Sequence, residues 1–266
     1  MKYIEFIGAP GAGKSTFARE AVTILRAQGQ SVFDKYDARC AAMRRQLQTQ
    51  RGLLWQLARL AWSLRKQRIS SLLWEKQRYA LAVRFVAAHP ALTRIVLECA
   101  EHVTPPAWIP QEIVCGKNLI EWFWDAATTY QAAQETLAAS DIFLFEEGFA
   151  QYAYYPFAFF DGALNQERLD RYLQHLPKPD LFVALLPTPE ACEARMHGRA
   201  KGVASDILTP LSAPQRLAIL QERTAFNETI AAYWERQRVT MIRLENDDYE
   251  RTKQSLADQL AAYCSQ

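Results

Sequence analysis

Eight consecutive residues near the start of the chain, Gly8-Ala9-Pro10-Gly11-Ala12-Gly13-Lys14-Ser15, meet every fixed position of the pattern G-x-x-x-x-G-K-[ST]. The flanks restrict the local fold further. Tyr3-Ile4-Glu5-Phe6-Ile7 reads as a strand, and Thr16 to Leu25 reads as a helix. A strand, a glycine-rich turn and a helix in that order place the turn at a strand's carboxyl end and a helix's amino end. Gly8, Gly11 and Gly13 lack a Cβ, so the backbone there can wrap closely around an anion. Loop N–H groups and the helix terminus turn partial positive charge toward phosphate oxygens. The pattern therefore predicts a triphosphate cradle made of Gly8, Ala9, Pro10, Gly11, Ala12, Gly13, Lys14, Ser15 and Thr16. Lys14 is expected to reach the β- and γ-phosphates, and the Ser15 hydroxyl to ligate Mg²⁺.

The remainder of the chain supplies the frame for such a turn. Short apolar runs at about 2–8, 31–36, 141–146, 180–186 and 239–244 alternate with helical patterns. That alternation predicts an α/β protein with a mostly parallel sheet covered on both faces. About a hundred residues between the second and third runs read as almost entirely helical. They include a leucine stripe at Leu53, Leu54, Leu57, Leu60 and Leu64, and a long helix over about 117–138. A final helix is expected over about 249–263.

Half of the 266 residues are hydrophobic and 23% are charged, enough to bury a sizeable core. The five cysteines are widely spaced with no C-x-x-C pair, and they read as reduced thiols of a cytoplasmic protein. The first strand begins so early that no signal peptide is expected. No apolar stretch approaches the length of a spanning helix. Charge is uneven: residues 41–90 carry +9 and the rest of the chain −7. Trp55 and Trp62 lie beside Arg59 and Lys66, opposite the leucines, so the stretch 44–84 reads either as an anionic-surface contact or as a packed helix with snorkelling cations. No nucleic-acid-binding module is recognisable, and nucleic acid is not an expected partner. A homodimer is left open.

Three features together resemble the thymidylate kinase and deoxynucleoside kinase branch of P-loop proteins. One is the loop at 8–15. The second is Asp180-Leu181-Phe182-Val183-Ala184-Leu185-Leu186-Pro187-Thr188-Pro189-Glu190, running on to Arg195, which is similar to the strand and lid approach of those kinases. The third is Ile242-Arg243-Leu244-Glu245-Asn246-Asp247-Asp248, similar to their last strand and adenine-side loop. The resemblance covers about half of the chain. It implies a three-layer P-loop fold with a five-stranded parallel sheet in the order 2-3-1-4-5. A single domain over 1–266 would carry a helical insertion at about 40–139. One departure is clear. The kinases follow their third strand with an acid–arginine pair, whereas this chain has Phe145-Glu146-Glu147-Gly148.

Within that frame the chemistry falls on few side chains. Glu146 ends a strand beside the loop and is expected to orient Mg²⁺ together with Ser15. Glu147 is the expected base toward an acceptor hydroxyl, with Asp34 or Asp37 as alternatives. The resemblance makes Arg195 and Arg199 lid arginines over the transferred phosphate. Tyr152, Tyr154, Tyr155, Phe157, Phe159 and Phe160 either line an acceptor pocket or pack into the core. The expected activity is an ATP- and Mg²⁺-dependent transfer of the γ-phosphate to a small-molecule acceptor. A nucleotide-hydrolysing switch and a kinase of sugar or lipid-linked acceptors at a membrane surface are the alternatives. Asn-Lys-x-Asp, which would read guanine, is absent.

Overall fold

The computed structural model describes residues 1–49, 56, 66–106, 109, 114–161, 164–198 and 208–265, without the side chains of 66–73. Five strands form one sheet: β1 (Lys2–Gly8), β2 (Val32–Phe33), β3 (Ile142–Phe145), β4 (Leu181–Leu185) and β5 (Thr240–Leu244). Their order is β2-β3-β1-β4-β5 and every pairing is parallel. Tyr3 lies opposite Phe143 on one side of β1, and Phe6 lies opposite Val183 on the other.

Eleven helices among the described residues surround the sheet. They are α1 (Lys14–Ala27), α2 (Lys35–Thr49), α3 (Lys66–Ala88), α4 (Pro90–His102), α5 (Gly116–Thr136), α6 (Phe149–Tyr152), α7 (Tyr154–Ala158), α8 (Gln166–His175), α9 (Pro189–His197), α10 (Ala213–Arg236) and α11 (Tyr249–Cys264). Successive side chains of a strand point to opposite faces. Ile4, Phe6, Leu144, Val183 and Ile242 thus share a buried cluster with Phe17 of α1, Met196 of α9 and Leu256 of α11. Tyr3, Ile7, Phe143, Phe145 and Phe182 share the other with Tyr130 of α5, Leu173 of α8 and Ile230 of α10. Both faces are covered, which is why the strands read as continuous apolar runs.

The second strand is shorter than the run 31–36 implied, ending at Phe33. Asp34 Oδ1 accepts the Asp37 N–H at 2.8 Å, and the Asp34 carbonyl accepts from Ala38 at 2.9 Å. This capping arrangement starts α2 at Lys35 and ends the extended backbone.

α2, α3, α4 and α5 confirm the helical reading of the described part of 40–139, and α5 ends two residues short of the expected 138. The leucine stripe over 53–64, with Trp55 and Trp62, lies outside the described residues. Several cations of the basic stretch are engaged within the chain. Arg84 Nε pairs with Glu135 Oε1 at 2.6 Å, Arg45 donates to the Glu135 carbonyl, and Arg78 pairs with Glu75 at 3.0 Å. Among the described residues no single helix is long and apolar enough to cross a membrane.

Candidate functional site

The turn from β1 into α1 holds the whole glycine pattern at the carboxyl end of the central strand. Gly11 has φ +83° and Gly13 φ +97°, both left-handed. A Cβ on Gly11 would stand 2.3 Å from the Cys192 carbonyl oxygen, and one on Gly13 would stand 2.7 Å from Asn246 Nδ2. Both positions require glycine for backbone conformation and for space. Asn246, buried and itself at φ +53°, donates from Nδ2 to the Ala12 carbonyl at 2.7 Å. The loop after β5 thereby braces the back of the turn.

Lys14 is half-buried and its Nζ donates to the carbonyls of Gly8 at 2.8 Å and Ala9 at 3.3 Å. Burial, and then the neighbouring Arg223 guanidinium, lower its pKa to about 8 against the opposing pull of Glu147 and Glu146. Ser15 is exposed, and its hydroxyl donates to Glu146 Oε1 from the first turn of α1. Because β1 and β3 are parallel neighbours, their carboxyl ends coincide, and this register sets the serine against the glutamate. Two oxygens so placed suit magnesium, which takes one or two protein ligands and completes its shell from phosphates and water. Among the described residues no three His, Cys, Asp or Glu side chains converge as a metal cluster. The glycine geometry, the lysine and the Ser15–Glu146 pair fit a magnesium-bound polyphosphate.

Glu147 is exposed beside Glu146. A cavity of about 290 Å³ opens next to the pair, lined by Ala18, Arg19, Asp34, Lys35, Arg39, Glu146 and Glu147. Lys35 and Arg39 both pair with Asp125 of α5, Lys35 at 2.5 Å. Asp34 lines this cavity but its carboxylate caps α2, and Asp37 pairs with Arg26 at 2.9 Å.

Arg195 is held against the other side of the turn. Its Nη2 donates to the Asn246 carbonyl, and its Nη1 is buried with no partner among the described residues. His197 and Glu193 join Arg216 of α10, with Arg216 Nε on Glu193 Oε1 at 2.8 Å. Arg199 lies outside the described residues.

The aromatic run packs into the core and against its edge. Tyr154, Phe157, Phe159 and Phe160 are buried in the core. Tyr152 and Tyr155 are half-buried and turn toward Trp122, with ring centroids at 6.2 and 5.5 Å.

Three residues of the site escaped the sequence reading. Glu5, in the middle of β1, is completely buried. Its carboxylate accepts from the Tyr3 hydroxyl and from the Ala150 N–H, each at 2.7 Å. Burial pushes its pKa up to about 7, although these hydrogen bonds pull the other way. Gly148 sits over Glu5 so closely that a Cβ would stand 2.4 Å from Oε1. The carboxylate thus anchors the segment that follows Glu146 and Glu147. Gln151 in that segment accepts the Gly8 N–H on its Oε1 at 3.2 Å. Arg223 of α10 donates from Nη2 to the Gln151 carbonyl at 2.9 Å. A signal for Glu5 existed: a carboxylate inside a strand covered on both faces has to be buried and hydrogen-bonded. No local signal marks Gln151 or Arg223. No protein-family model and no curated protein matches the chain.

Proposed function

We propose that this protein is an ATP- and magnesium-dependent phosphotransferase of the P-loop type, acting on a small-molecule acceptor. The observation that carries the reading is the coincidence, at adjacent strand ends, of the glycine turn with Lys14 and the Ser15–Glu146 pair. Phosphoryl transfer asks for positioning and charge neutralisation more than for covalent help. Backbone N–H groups at the end of the glycine turn and the α1 terminus bind the phosphate chain. Lys14 exchanges its two carbonyl contacts for phosphate oxygens. Magnesium, when held by Ser15 and Glu146, draws charge from the phosphates.

The acceptor occupies the cavity beside Glu146 and Glu147. Glu147 takes the acceptor hydroxyl proton as that oxygen bonds to the terminal phosphorus, and the bridging oxygen departs with its electron pair on ADP. Asp34 and Asp37 are worse placed for this role because their carboxylates are engaged elsewhere. Arg195 serves the adenine side through its hold on the loop at Asn246. The cytoplasm, where ATP is abundant, is the proposed compartment.

The test is transfer of labelled γ-phosphate to a panel of nucleosides, nucleotides, sugars and antibiotics, alongside calorimetry with Mg-ATP. Saturable binding and acceptor-dependent transfer support the reading. Phosphate release to water without transfer would make the protein a hydrolysing switch, and no binding by folded protein would end the proposal.

A further inference from the structure

Arg223 is 4% exposed, yet no carboxylate pairs with it among the described residues. Its Nη2 is satisfied by the Gln151 carbonyl at 2.9 Å, but its Nε is buried with no hydrogen-bond partner. The guanidinium lies over the rings of Tyr154 and Tyr155, with centroid distances of 4.4 and 5.3 Å. Ring faces attract a cation without neutralising it. A buried cation lacking a counter-ion is expensive and is retained where something else supplies the anion.

The position of that anion follows from the neighbours. Gln151 bridges Arg223 to the start of the glycine turn, because its own Oε1 holds the Gly8 N–H at 3.2 Å. Lys14 folds onto the carbonyl of the same Gly8 at 2.8 Å. Lys14 thus contacts the first residue of the turn directly, and Arg223 of α10 is joined to it through Gln151. Glu147 acts on both, in the favourable direction.

We propose that Arg223 and Lys14 together clasp the terminal phosphoryl group of a bound nucleoside triphosphate, with the unpartnered Nε of Arg223 as a donor to its oxygens. This rests on the phosphotransferase reading and extends it to a residue outside every motif of the sequence. A guanidinium presents planar, directed donors to phosphate oxygens and keeps its charge when buried. Supplied from within the chain, it neutralises charge on the group in transit.

Calorimetry with Mg-ADP and with a β,γ-imido analogue of Mg-ATP separates the two ideas. In the unaltered protein both nucleotides bind. In Arg223→Met the ADP affinity stays within about twofold, while the triphosphate analogue weakens by about 10- to 100-fold, the scale of a lost charged hydrogen bond. The apo variant melts no lower than its parent, because an unneutralised buried charge has been removed. Arg223→Lys, which keeps charge but loses the fork, falls between the two and serves in its place if Arg223→Met does not fold. Equal weakening for both nucleotides together with a lower melting temperature would make Arg223 a scaffold residue and overturn the proposal. Unchanged affinity for the analogue would also overturn it, leaving the glycine turn untouched. If neither nucleotide binds the unaltered protein, the phosphotransferase reading fails first and this inference falls with it.

Discussion

Lys14 Nζ donates to the Gly8 carbonyl at 2.8 Å, so the lysine closes the glycine turn onto itself. With its pKa lowered to about 8, the ammonium is only partly protonated just above neutrality. A phosphate anion favours the charged form. Nucleotide binding at about pH 8 should therefore take up a fraction of a proton. Calorimetry in buffers of different ionisation enthalpy reads that uptake directly. Lys14→Met should abolish it and lower turnover by about a hundredfold or more, the scale of losing one preorganised donor. Proton uptake that persists in the variant would assign it to another group.

The Glu5 carboxyl makes a prediction about stability that needs no ligand. Its folded pKa of about 7 lies above the ordinary 4.5. Between those values the native state holds a proton that the unfolded chain has released. The contribution of Glu5 is accordingly largest at low pH, declines as pH rises from about 4.5 to 7, and is flat above. The total decline is on the order of 3 kcal/mol. Urea denaturation of the parent and of Glu5→Gln across pH 4.5–8 should show two curves whose difference follows this slope. Parallel curves would mean that Glu5 does not titrate there.

Gly11→Ala should be the most damaging single methyl in the turn. It imposes φ +83° on an L side chain and drives Cβ to 2.3 Å from a backbone carbonyl that cannot rotate away. A loss of about 2 kcal/mol or more is expected, with reduced nucleotide affinity. The denaturation midpoint and a binding isotherm check both. Unchanged stability would show that the Cys192 backbone yields.

Asn246→Ala leaves the Ala12 carbonyl without its 2.7 Å donor and opens space behind Gly13. The expected cost is about 1–3 kcal/mol. Nucleotide affinity should fall as well, because the turn loses its brace. A stable variant with full affinity would show that the turn holds its shape unaided.

Local chemistry made much of this molecule legible from the chain alone. The glycine spacing, the lysine–serine pair and the five apolar runs are contiguous signals. Strand-turn-helix patterns of this kind act over a few residues, and the sheet order implied by the resemblance is the order the structure has. The position of Glu146 was legible for the same reason, because it follows a recognisable strand. The one shortened element, β2, was decided by a side chain: Asp34 competes with the ladder by capping α2.

Tertiary structure alone decided the rest. Gln151 reaches Gly8 across 143 positions of sequence, and Arg223 reaches Gln151 across 72. Neither belongs to a periodic pattern, and each acquires meaning only from what the fold sets beside it. The split of the aromatic run into core rings and rings facing Trp122 depends in the same way on α5, a helix remote in sequence. Burial is the physical reason. It turns an ordinary glutamate into a group titrating near neutrality and an ordinary arginine into a cation in want of an anion, and burial belongs to the packed molecule as a whole.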